Sequence, residues 1–68
     1  MSDIAEFPTM VSLDAQMAEA GRELAMRRRT YPMLIAQRKL DHDTAQHQIR
    51  CMESILATLR QLKSKGGK

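Results

Sequence analysis

Two apolar stripes of alternating four- and three-residue spacing, one on each side of a polar junction, decide what this chain can become. Leu13, Met17, Ala20 and Leu24 form the first, which resumes at Tyr31 and at Leu34 or Ile35. Ala45, Ile49, Met52, Leu56, Leu59 and Lys63 form the second, with Ile55 and Leu62 widening it on one side. Such a period gathers its members on one face of an α-helix, whereas on a strand it would scatter them over both faces. No sheet is needed and no internal repeat is present, so the expected class is all-α, a helical hairpin.

The ends of the two helices are marked by residues that satisfy free backbone groups. Ser12 is placed to cap the first helix, with Asp14 in the first turn where the helix dipole favours a negative charge. Pro32 removes an amide hydrogen and disfavours helical angles at Tyr31, so the first helix is kinked or broken there. The continuous but bent form is preferred over a new short helix capped by Thr30. The stretch from Arg38 to Thr44 is the turn: Asp41 caps the second helix, Asp43 lies in its first turn, and Leu40 can staple onto Ala45. The expected organisation is an N-terminal arm over 1–11, a hairpin over 12–63 and a disordered basic tail over 64–68.

At 68 residues the chain forms one domain at most, and a domain this small removes only about 60% of its unfolded surface from water. The single Cys51 cannot form an internal disulfide, and no spaced Cys and His set marks a structural zinc. No apolar run reaches the roughly 18 to 20 residues of a membrane span, and the N-terminus lacks the basic head and long apolar stretch of a secretory signal. The expectation is a cytoplasmic protein without membrane, metal or cofactor, steadied by a partner. Charge is unevenly distributed: residues 1–26 carry five acids and one base, residues 27–68 ten bases and three acids.

A hairpin turning near residue 40 pairs positions whose numbers sum to about 80. Leu24 is then set near Leu56, Tyr31 near Ile49, and Arg27 near Glu53. The expected seam comprises Leu24, Arg27, Ile49, Met52, Glu53, Leu56 and Leu59. Its second stripe is wider than one neighbour can cover, which predicts a homodimer forming a four-helix bundle.

Arg27, Arg28 and Arg29 stand where the first stripe should continue. Successive helical residues rotate by about 100°, so three in a row fan over about 200° and cannot share a solvent face. Arg27 or Arg28 must therefore enter the seam, its stem packed and its guanidinium paired, while Arg29 is the freest to meet another molecule. Arg28, Arg29, Tyr31 and Met33, with Arg38 and Lys39, have the Met, Tyr and Arg composition that protein interfaces favour and are the candidate partner-binding residues. The same cations could hold a phosphate backbone, which makes a nucleic-acid accessory protein the alternative. With Tyr31 the only aromatic among them, base stacking on single strands is poorly served.

Asp43, His47 and Cys51, spaced four apart with His42 nearby, are ligand types on one helical face. They lie away from the Ile49, Met52 and Leu56 stripe, and a solvated face is the default reading. Cys51 and His47 resemble a nucleophile and its base in spacing only: no glycine-rich loop, donor array or walled pocket accompanies them. A non-enzymatic protein is expected.

The segment R-E-L-A-M-R-R-R-T-Y-P at 22–32, followed by I-R-C-M-E-S-I-L-A-T-L-R at 49–60, resembles a group of small bacteriophage- and prophage-encoded helical proteins with an R-E-(I/L)-A-M-R-R-R-x-Y-P core. The resemblance spans about residues 13–62. This chain departs from the pattern at Gln48, where an acid often stands, and at Gln37-Arg38-Lys39, where a glycine is common. The resemblance implies a viral protein of the host bacterial cytoplasm that binds a host protein and redirects or inhibits it, in host takeover or counter-defence.

Overall fold

The computed structural model describes residues 11–66, and these form two α-helices in an antiparallel hairpin. The arm expected over 1–11 lies outside the described residues except for Val11. Helix α1 spans Leu13–Ala36 and α2 spans His42–Gly66. Neither helix is long and apolar enough to cross a membrane.

The start of α1 follows from Ser12, whose hydroxyl accepts the Ala15 amide at 3.0 Å while its carbonyl accepts the Gln16 amide at 3.0 Å. From there α1 runs through Pro32 unbroken. Pro32 offers no N–H to the Arg28 carbonyl one turn back, so the apolar contacts of the seam carry the helix across this gap.

Arg38 ends α1 at a φ of 63°, the left-handed conformation in which glycine is favoured. Its amide donates to the Ile35 carbonyl and the Lys39 amide to the Leu34 carbonyl, both at 2.9 Å. This crossed pair is the Schellman closure of a helix end. Asp41 then caps α2: its carboxylate accepts the Thr44 amide at 3.1 Å, and its carbonyl accepts the Ala45 amide at 2.9 Å.

At its far end α2 continues through Ser64 and Lys65 to Gly66, so the expected boundary at Lys63 falls short. Lys63 and Lys65 in the last turn complement the negative end of the helix dipole and sustain it.

The core is the meeting of the two stripes. Ala20, Leu24, Met52 and Leu56 are buried together, with Met17, Ile49 and Leu59 packed against them. Ala45, 1% exposed, closes the seam near the turn. No large side chain among the described residues is fully withdrawn from solvent, because two helices in one layer enclose nothing on every side. Val11, Met33, Ile55 and Leu62 remain about half exposed.

Candidate interaction surface at the hairpin turn

The three consecutive arginines meet three different environments. Arg27 enters the seam: with a side chain 22% exposed, it donates through Nε to Glu23 at 2.8 Å and through Nη1 to the Gln48 carbonyl at 2.9 Å. That carbonyl sits inside α2, and its second lone pair can take the guanidinium beside the helical hydrogen bond. Tyr31, one turn further, donates its hydroxyl to Gln48 Oε1 at 2.9 Å. Gln48 therefore receives both polar groups that α1 extends across this part of the junction.

Arg28, not Arg27, reaches Glu53, at 2.7 Å. The expected Arg27 to Glu53 pairing is corrected by helix geometry. Counted at about 100° per residue from Leu24, Arg27 and Arg28 fall on opposite flanks of the seam, and Glu53 projects on the flank of Arg28. The pair is 58% and 45% exposed, in the range where ion pairs contribute only about 0.2 to 1 kcal/mol. Arg28 is thus engaged within the hairpin rather than free for a partner.

Arg29 is exposed and, among the described residues, makes no ion pair. Met33, one turn on, is 54% exposed on the same outward face. Arg38 and Lys39 are exposed at the turn and pair with no acid of the described residues.

Next to these cations lies a concavity of ≈ 360 Å³ lined by Tyr31, Pro32, Ile35, His42, Ala45, Gln46 and Ile49. The ring of Tyr31 and the branches of Ile35 and Ile49 are among its walls, with the short side chain of Ala45 buried beside them. Ile35 and His42 also line the adjoining depression formed by Arg38, Lys39, Leu40 and Asp41. An apolar hollow and a cationic rim are in this way one continuous surface. Of the six candidate partner residues, Tyr31, Arg38 and Lys39 line this surface, Arg29 and Met33 are exposed on the outer face of α1, and Arg28 is engaged with Glu53. A second hollow farther along the same flank, between Gly21, Leu24, Ala25 and Leu56, is bordered by the Arg28 to Glu53 pair and by Arg60.

The polar residues of α2 do not converge. Cys51 Sγ lies 3.5 Å from His47 Nε2, and His42 Nδ1 lies 3.5 Å from Asp43 Oδ1, as two separate exposed pairs. No group of three or more His, Cys, Asp or Glu able to hold a metal occurs among the described residues.

Pro32, Ile35, Ala45 and Ile49 were not among the candidate partner residues, because a hollow between helices depends on which short side chains face each other. Gln48 was missed for a related reason. One of its two acceptors is a backbone carbonyl, which every residue possesses and no spacing reveals. Compared with protein-family models, curated proteins and solved structures, the chain matches none.

Proposed function

We propose that this chain is a small non-enzymatic protein-binding module that reads its partner with the turn-proximal surface. The observation that carries the reading is the apolar hollow of Tyr31, Pro32, Ile35 and Ile49 set beside cations, Arg38 and Lys39, that no described acid neutralises. Such a surface accepts an apolar anchor side chain flanked by acids, the arrangement in which a few buried contacts supply most of the affinity while charge steers the encounter. Arg29 and Met33 extend the contact along the outer face of α1.

The resemblance of 22–32 and 49–60 to phage and prophage chains supports a host protein as the target, met in the bacterial cytoplasm and redirected or inhibited by stoichiometric binding. In this reading the binding unit is a homodimer, since a single layer of two helices leaves Ile55 and Leu62 about half exposed.

The test is capture from host lysate with the tagged wild-type chain beside Arg29→Glu and Lys39→Glu, both at exposed positions outside the core. A protein retained in equal proportion by wild type and lost with either reversal is the expected result. Binding of random duplex DNA instead, with affinity falling about 10³-fold or more between 50 and 200 mM salt, would replace the protein partner with a phosphate backbone.

A further inference from the structure

Helix α2 carries a second stripe that the hairpin does not use. Thr44, Gln48, Cys51, Ile55, Thr58 and Leu62 recur at spacings of four, three, four, three and four. None is charged, although the same helix carries Asp43, Arg50, Glu53, Arg60 and Lys63 on its other faces; the next steps of three beyond the stripe fall on Asp41 at one end and Lys65 at the other. All are exposed except Gln48, which is half-buried beneath Arg27 and Tyr31. The stripe runs about 27 Å at about 1.5 Å per residue and lies on the Gln48 flank, opposite the hollows.

We propose that this stripe is the docking surface for a second copy of the chain, with α2 packed antiparallel against α2 of the partner copy. The proposal rests on the homodimer reading above and gives it a face and a direction. Three features select a second copy over other occupants. A charge-free stripe can face itself without repulsion, as the isologous contact of a two-fold dimer requires. Its spacings read the same from either end, so an antiparallel copy meets it position for position: Thr44 opposite Leu62, Gln48 opposite Thr58, Cys51 opposite Ile55. That register also lays the acidic start of one α2, with Asp43 in its first turn, beside the basic end of the other, with Lys63 and Lys65. Opposed helix dipoles and opposite charges then favour the same direction. The turn surface stays open on the other flank, so dimerisation and partner binding do not compete.

Two measurements on the full chain test this. The first is sedimentation at about 50 µM, where a dimer with a micromolar or tighter dissociation constant is populated. Wild type is expected at twice the chain mass, Ile55→Lys with a dissociation constant raised about 100-fold or more, and Ala57→Lys, exposed on the opposite flank between Glu53 and Arg60, unchanged. The second needs no variant to fold. Cys51 is exposed in the hairpin and covered in this dimer, so its reaction with a thiol reagent slows as protein concentration rises. A wild-type monomer with intact far-ultraviolet helix signal overturns the proposal. So does a dimer whose Cys51 reacts at the same rate whether dilute or concentrated, because its interface lies elsewhere.

Discussion

Arg38 occupies a backbone position that most helices give to glycine. Its left-handed φ of 63° costs a side-chain-bearing residue about 1 to 2 kcal/mol, part of which glycine returns through its freedom in the unfolded chain. Arg38→Gly should therefore raise stability by about 0.5 to 1 kcal/mol, or about 2 to 8 °C in melting temperature, read by circular dichroism at one protein concentration. A drop instead would mean that the Arg38 side chain holds the turn together. The same position shows what single residues disclose in advance. The absence of glycine at Gln37-Arg38-Lys39 was visible in the sequence, and the strained arginine is its structural result. The division of the arginine triplet was equally visible as a necessity of helical rotation. Which arginine meets Glu53 was not, because a shift of one position moves a side chain to the other flank of the seam.

At the scale of the helices, the alternating stripes located both elements, and Ser12 and Asp41 located their starts. These features are local in sequence and therefore legible. The continuity of α1 through Pro32 is not local: it depends on Tyr31, bonded to Gln48 of α2, and on Ile35, which shares a hollow with Ala45 and Ile49, and these contacts outweigh the lost N–H. Gly21 presents the opposite case, a helical position with no tertiary reason for its residue. A Cβ built there meets nothing within 4 Å, and glycine in a helix interior costs about 0.5 to 1 kcal/mol relative to alanine. Gly21→Ala should stabilise the hairpin by that amount in urea titration. A loss would show that another molecule occupies the hollow beside Gly21.

For the whole molecule, the antiparallel hairpin changes the meaning of the charge asymmetry. The acidic first third and basic remainder of the sequence invite a search for an oppositely charged partner. Folding instead lays the start of α1 beside the end of α2, where Lys63 pairs with Asp14, so part of the asymmetry is complementarity within one chain. Both side chains are at least half exposed. A double-mutant cycle of Asp14→Asn and Lys63→Gln should give a coupling of only about 0.2 to 1 kcal/mol, vanishing at about 1 M salt where screening acts within about 3 Å. Coupling that survives such salt would indicate a pair shielded from water by something besides the hairpin.

Gln48, gripped by Tyr31 through its amide oxygen and by Arg27 through its carbonyl, acts as an indexing pin between two otherwise slippery rods. Sliding α2 by one turn would bring Met52 or Thr44 beneath Tyr31, and neither repeats the reach and acceptor of a glutamine amide. The helices are thus keyed at a point within their length, Gln48 lying fewer than two turns past the start of α2 at His42. The connection from Gln37 to Asp41 is thereby relieved of setting their alignment, and its length can vary at a cost of loop-closure entropy alone, about 0.6 kcal/mol per doubling.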